Sequence, residues 1–111
     1  MPAYTPLQMA QSNVASLVET TVYTVPGATN AIVKQIVLAN VTGLAATISI
    51  SIVPSGGAAG DGNRIVKDLS LPATSISVLD LMQDMDTGDF ISVKQGTSSA
   101  ITTTISGVQW V

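Results

Sequence analysis

Three carboxylates at short spacing, Asp84, Asp86 and Asp89, are the residues of this sequence best suited to chemistry. Hard oxygen donors of this kind bind Ca²⁺. In an EF-hand loop that began at Asp84, however, the invariant glycine would fall on Asp89 and the final bidentate carboxylate on Gln95. The Gly88-Asp89 pair is instead typical of a turn that leads into a strand. We therefore expect no metal and no cofactor, with a weak calcium ion at the three aspartates as the open alternative.

Nucleophilic and acid–base catalysis lack their usual partners in this sequence. It contains no Cys and no His, and a Ser or Thr hydroxyl needs a neighbouring base to become a nucleophile. No Ser stands three residues before a lysine, which excludes a Ser-x-x-Lys pair. Nothing near Asp84 and Asp86 predicts the walled apolar pocket in which paired carboxylates do acid–base work. We expect no catalytic residues, no cofactor-binding residues and no enzymatic activity.

A long stretch of small residues, 54–63, holds four glycines. Glycine-rich loops cradle phosphates, but a P-loop also needs a Lys-Ser/Thr pair, which is missing here. The stretch also leads into a strand-like sequence rather than a helix. It predicts a flexible connection, and we expect any role for it to be contact with a neighbouring subunit.

Charge is scarce along the whole chain of 111 residues. Four Lys or Arg and seven Asp or Glu give a net charge of −3, and charged residues make up 10% of the sequence. About 25% is usual in soluble proteins. The cations Lys34, Arg64, Lys67 and Lys94 are scattered, whereas nucleic-acid binding needs them clustered. The longest apolar stretch, residues 31–41, is too short and too interrupted to span a membrane. We expect neither a nucleic-acid partner nor a membrane partner.

The composition and the periodicity both predict strands. Val, Ile and Thr make up 36 of the 111 residues, and β-branched side chains favour strands over helices. Residues 46–53 alternate apolar and hydroxyl side chains, a period of two that places one face in a core. Residues 31–41 are mostly apolar on both faces and predict a central strand covered on both sides. In residues 100–111 the apolar positions change parity around Gly107, which predicts a β-bulge there.

These segments predict the architecture of the whole chain. The fold class is all-β, an antiparallel β-sandwich or jelly roll of about seven to eight strands with an extended N-terminal arm. Residues 1–13 have little periodicity and form the expected extended arm, which would be either disordered or laid over a neighbouring subunit. Residues 14–111 form the single β-sandwich domain. The predicted strands cover residues 18–25, 31–41, 46–53, 64–69, 75–81, 90–95 and 100–111.

The small number of charges also predicts self-association. A soluble monomer of this size normally keeps about a quarter or more of its surface residues charged. A surface of Thr, Ser, Ala and Gly is tolerable where much of it is buried against copies of the same chain. We therefore expect a homotrimer or another closed oligomer, with Trp110 filling the core or an interface.

Five short motifs occur in order along the chain. They are Tyr23-Thr24-Val25-Pro26, Ala31-Ile32-Val33-Lys34-Gln35-Ile36-Val37-Leu38-Ala39-Asn40, Ile52-Val53-Pro54-Ser55-Gly56-Gly57, Gly88-Asp89-Phe90-Ile91 and Ile105-Ser106-Gly107. Their order and spacing resemble those of small β-sandwich virion structural proteins of tailed bacteriophages, over residues 22–108. The resemblance implies a non-enzymatic β-sandwich, and it transfers no catalytic or binding residues because the matching positions are architectural.

The resemblance implies a capsid decoration (cement) protein or a neck, tail or fibre component, without saying which position, and we expect first a decoration protein that stabilises the head by oligomeric contacts. Its expected partners are copies of itself and the major capsid protein or another virion protein. Its expected location is the virion, after synthesis in the host cytoplasm. A neck, tail or fibre-associated subunit and a glycan- or host-surface-binding module are the alternatives. The last would need an exposed aromatic side chain among Tyr4, Tyr23, Phe90 and Trp110.

Overall fold

The computed structural model describes residues 5–13, 18–96 and 100–110. Within these ranges the chain forms eight β-strands and no helix, as its β-branched composition predicts. The strands are β1 (Thr5–Ser12), β2 (Thr20–Thr24), β3 (Asn30–Asn40), β4 (Ala46–Val53), β5 (Arg64–Leu71), β6 (Ile76–Met85), β7 (Phe90–Gln95) and β8 (Ile101–Trp110).

The strands form two four-stranded antiparallel sheets. The first sheet has the order β1-β8-β3-β6 and the second sheet the order β2-β7-β4-β5. β1 pairs with β8, β2 with β7, β3 with β6 and β4 with β5, as if one long hairpin were rolled up. Pairing of β3 with β8 and of β4 with β7 closes the roll. This arrangement is a jelly roll, so the predicted all-β sandwich is confirmed.

An aliphatic core fills the space between the sheets. Its members alternate along their strands with residues of the outer faces, which is the period of two expected of strands with one buried side. The largest fully buried hydrophobic side chains include Val33, Ile36, Leu38, Ile48, Ile50, Met85, Ile91, Ile101 and Ile105. The fold is therefore held mainly by β-branched side chains packed in a single layer.

Strand β3 is central, as predicted, but it is not covered on both sides. It lies between β8 and β6 in the first sheet. Its inward residues, such as Val33 and Ile36, are buried, whereas Val37 and Ala39 on the other face are half-buried. The prediction of full cover was wrong because no described segment forms a third layer over the first sheet.

The apolar positions of β8 change parity near Gly107, but β8 itself has no bulge there, so the prediction of a bulge at Gly107 was wrong. β8 runs regularly through Gly107, and its two neighbours carry the extra residues, Met9 in β1 and Lys34 in β3. A Cβ at Gly107 would overlap the carbonyl oxygen of Ile32 and crowd the Met9 side chain. The glycine therefore permits close packing between strands, while Val108 continues on the outer face.

The expected N-terminal arm is in part a strand of the sandwich. Thr5–Ser12 is extended, but it pairs with β8 of its own chain and forms the edge of the first sheet. Residues 1–4 and 14–17 of the predicted arm and domain lie outside the described residues. Sequence periodicity missed β1 because the bulge at Met9 breaks its alternation.

The close approach at Gly107 gives a testable consequence. Gly107→Ala is expected to lower the free energy of unfolding by about 1–3 kcal/mol, because the added methyl group overpacks the site. Gly43→Ala is the matched control, since a Cβ there meets no atom within 4 Å. Urea unfolding of both variants measures the difference, and equal stabilities would contradict this role for Gly107.

Candidate functional site

Charged side chains pair with one another on the outer face of the second sheet. Arg64 Nη1 donates to Ser51 Oγ at 2.9 Å and lies 3.0 Å from Glu19 Oε2. Arg64, Ser51, Ser92 and Thr21 occupy one row across the four strands. Ser51 and Ser92 are buried although they point outward, because their small side chains leave room for the arginine. The row is therefore internally satisfied.

Asp61, in the loop between β4 and β5, extends this cluster. Lys67 Nζ lies 3.0 Å from its Oδ2 and Arg64 Nε 3.7 Å from its Oδ1. The hydrogen bond and the charge of Lys67 hold the pKa of Asp61 below its ordinary value. The resulting stabilisation is present at neutral pH and is lost as the pH falls through the lowered pKa. Because Asp61 is exposed, the pairing contributes little to stability.

The three aspartates of the acidic segment do not converge on one point. Asp89 Oδ1 accepts a hydrogen bond from the Ser55 backbone N–H, and its Oδ2 accepts one from the Asp86 N–H, both at 2.9 Å. Throughout residues 5–13, 18–96 and 100–110, no three acidic, His or Cys side chains are grouped so that they could hold a metal ion. Asp89 therefore joins two loops, and Asp84 and Asp86 lie exposed beside it.

This assignment of Asp89 predicts how the protein responds to calcium. Ca²⁺ at about 1 mM, which fills weak protein calcium sites, should leave the thermal unfolding midpoint unchanged. Asp89→Ala should cost about 1–3 kcal/mol, because two backbone N–H groups lose their acceptor. Asp84→Ala is the matched control and should be near neutral. A rise of the midpoint with Ca²⁺ that Asp84→Ala abolishes would contradict the assignment.

The glycine-rich stretch between β4 and β5 is folded by its own hydrogen bonds. Gly57 N–H donates to the Pro54 carbonyl at 2.9 Å, and the Asn63 side chain bridges the Gly60 N–H and the Ala58 carbonyl. Ser55 is tied to Asp89 of the neighbouring loop. The stretch is a set of turns that leads into β5, and its contact with a neighbouring subunit stays a prediction.

Asn40 connects two loops at one end of the sandwich. Its buried amide donates to the carbonyls of Leu44, Leu71 and Pro72, and its Oδ1 accepts hydrogen bonds from the Thr42 N–H and hydroxyl. The amide therefore holds the β3–β4 loop against the β5–β6 loop. A single polar residue at the end of an apolar run was the available sequence signal, but two of its partners, Leu71 and Pro72, lie 31 and 32 residues further along the chain.

Removal of the Asn40 amide should loosen this end of the molecule. Asn40→Ala leaves buried carbonyls without a donor, and we expect a loss of about 1–3 kcal/mol in the free energy of unfolding. Asn63→Ala, in the exposed β4–β5 loop, is the control and should cost less. Denaturant unfolding measures the loss of stability in both variants. Hydrogen exchange at residues 41–45 measures how far the β3–β4 loop is loosened. Unchanged exchange in Asn40→Ala would argue against this role.

The outer face of the first sheet has a different character. Among its described outward positions, Lys34, Asp80 and Asp84 alone are charged. The Asp80 carboxylate accepts a hydrogen bond from the Gln35 amide at 3.2 Å. The other positions carry mainly hydroxyl, amide or apolar groups. They include Pro6, Gln8 and Gln11 on β1, Thr102, Thr104, Ser106, Val108 and Trp110 on β8, Ile32, Gln35, Val37 and Ala39 on β3, and Ile76, Val78 and Met82 on β6.

An exposed hydrophobic cluster adjoins this face, and we name it the apolar corner. It consists of Val41 and Leu44 in the β3–β4 loop and Ile76 and Val78 at the start of β6, with 61%, 78%, 69% and 49% of each residue exposed. The two segments are adjacent because the Asn40 N–H donates to the Ser75 carbonyl at 2.9 Å. Nothing in the sequence pattern predicts the cluster, because it forms between separate segments of the chain.

The aromatic side chains do not form an exposed platform in the described part of the chain. Tyr23, Phe90 and Trp110 are each half-buried, and the Tyr23 hydroxyl accepts a hydrogen bond from the Gln109 amide between the two sheets. Tyr4 lies outside the described residues. None of these three side chains is therefore fully exposed in the way that a glycan-binding module would favour. In the ranges described, there is also no helix with the length and hydropathy to span a membrane.

Comparison with known proteins gives a match of fold. No protein-family model matches the chain, and no curated protein sequence matches it. Among solved structures, a chain of the infectious bursal disease virus Gx strain is similar over 99% of this chain, with a TM-score of 0.50 and 14% identity. A chain of the Gt strain is similar over 98%, with a TM-score of 0.44 and 10% identity.

The present chain spans about a third of the length of these viral chains, 32% and 31%. At such low identity the Gx-strain similarity concerns the course of the backbone. The chain therefore shares a jelly-roll fold with part of a viral protein, in agreement with its own strand order.

Proposed function

We propose that this chain is a non-enzymatic structural protein of a virion. The observation that carries the proposal is the outer face of the first sheet, a broad and nearly uncharged surface on a rigid jelly roll. Such a face is suited to contact with other protein surfaces, since it has few charges to desolvate. The shared fold with a chain from a virus structure supports the same role.

The finer proposal is a decoration protein on the head of a tailed bacteriophage. It is supported by the motif resemblance and by what those motifs do in the fold. Asn40, Asp89 and Gly107 hold strands and loops in place, as expected of positions that maintain an architecture. The proposed partners are copies of this chain and the major capsid protein or another virion protein.

The proposed mechanism is mechanical. A standard protein interface buries about 800 Å² on each partner, and the molecule measures 48 × 25 × 18 Å, so its broad face is large enough. Contacts made by Thr, Ser and small aliphatic side chains are individually weak. A symmetric array holds many of them at once, and the simultaneous contacts raise the overall affinity.

Virions that lack the protein test the proposal. Deletion of its gene from the phage genome that carries it should give particles whose heads release DNA at a lower temperature, and added purified protein should restore them. Thr104→Lys, which places a charge on the first-sheet face, should restore them poorly. Thr47→Lys on the second-sheet face is the matched control. Absence of the protein from purified virions by mass spectrometry would overturn the proposal, and antibody labelling of tails would move it to the tail.

A further inference from the structure

We propose that the apolar corner, Val41, Leu44, Ile76 and Val78, is the contact through which copies of this chain bind one another. The inference rests on the proposed function, in which many copies act together, and it names the surface that joins them. The rest of the first-sheet face, away from the corner and the rows beside it, is then left for the other virion protein.

The edge of the first sheet is unprotected at the apolar corner, where β6 begins. Sheet edges expose unpaired backbone groups, and proteins protect them with charges, prolines, bulges or short strands. β1 has Pro6 and a bulge at Met9, β2 is short, and β5 has Lys67 and Asp68. In β6 the carboxylates Asp80 and Asp84 and the irregularity opposite Lys34 protect the second half of the strand.

Residues 76–79, at the start of β6, contain no charged residue, no proline and no bulge. Ile76 and Val78 point outward beside the unpaired edge, and both are largely exposed. Leu44, the most exposed large hydrophobic residue of the cluster, lies in the loop that Asn40 ties to the start of this strand. A contiguous exposed apolar cluster of this kind marks a contact surface in a soluble protein.

Charge favours a second copy of this chain as the partner that binds the corner. Each copy carries a net charge of −3, and Asp84, Asp86 and Asp89 are close together in the sequence beside the β6–β7 turn. Two copies that met there would place like charges together, which is unfavourable. The apolar corner lies within segments 35–60 and 69–79, which contain no charged residue, and the next charge along β6 is Asp80, which accepts a hydrogen bond from the Gln35 amide. Copies that meet at the corner avoid the three aspartates of the acidic end, where a basic partner would bind.

The surface around the corner is also large enough for a contact between two copies. The corner continues without a break into Val37 and Ala39, which pair with Val78 and Ile76 across β3 and β6. Together with the adjoining rows of the broad face, which belongs to a molecule of 48 × 25 × 18 Å, the corner provides room for a contact of about 800 Å² per copy.

Light scattering behind a sizing column tests the proposal with the complete chain. The wild type is expected at a fixed multiple of 11.3 kDa, and Ile76→Lys at 11.3 kDa. Ile65→Lys is the matched control, because Ile65 is an exposed isoleucine, 42% exposed, on the edge strand of the other sheet. It should keep the wild-type mass. Leu44→Lys changes a loop residue and should dissociate the oligomer without touching a strand.

The outcomes separate this inference from the virion role. Circular dichroism and thermal melting first verify that each variant is folded, and Leu44→Lys replaces Ile76→Lys if the latter unfolds. A wild type of 11.3 kDa at every concentration overturns the proposal, as does equal dissociation by Ile65→Lys. A monomer that still binds virions overturns the corner contact alone, whereas an oligomer missing from virions overturns the virion role alone.

Discussion

Pairing between strands that are far apart in the sequence is the constraint on which the rest of the structure depends. β1 is hydrogen-bonded to β8, and each following pair lies one step inside the previous one, down to the β4–β5 hairpin. The first sheet is not complete until β1 and β8, from the two ends of the described chain, have been brought together. Such non-local pairing is slow to form, because chain entropy is lost before the contacts are made. The loops must therefore be held where the strands need them.

Three polar side chains meet this need. Asn40 bonds the backbone of two loops at one end of the sandwich, and Asp89 accepts hydrogen bonds from two backbone N–H groups at the turn before β7. Gln95 binds the backbone at Ala100 and Ile101 where β8 begins. Asn40 and Gln95 are buried, and their amides would be costly to bury without these partners. They connect segments that the aliphatic core does not hold.

The outer faces of the two sheets differ in the charged groups that they carry. On the second sheet, Arg64 spans a row of small serines and pairs with Glu19, so charge is satisfied within the molecule. On the first sheet, strands β1 and β8 contain no charged residue at all. A chain with so few charges thus places most of them away from one broad face and one corner, and the proposals for function follow from that asymmetry.

Much of this could be predicted from the sequence, because strand formation depends on local side-chain chemistry. The alternation in Ala46–Val53 and the turn before Phe90–Gln95 predicted both strands with their observed bounds. The absence of His and Cys and the scattering of the four cations along the chain are also visible in the sequence alone. The tertiary structure decided what depends on neighbours far along the chain. It placed Thr5–Ser12 in the first sheet, located bulges at Met9 and Lys34 rather than at Gly107, and brought the β3–β4 loop beside the start of β6. Periodicity records which face of a strand is apolar, but strand partners and the surfaces left uncovered are set by long-range packing.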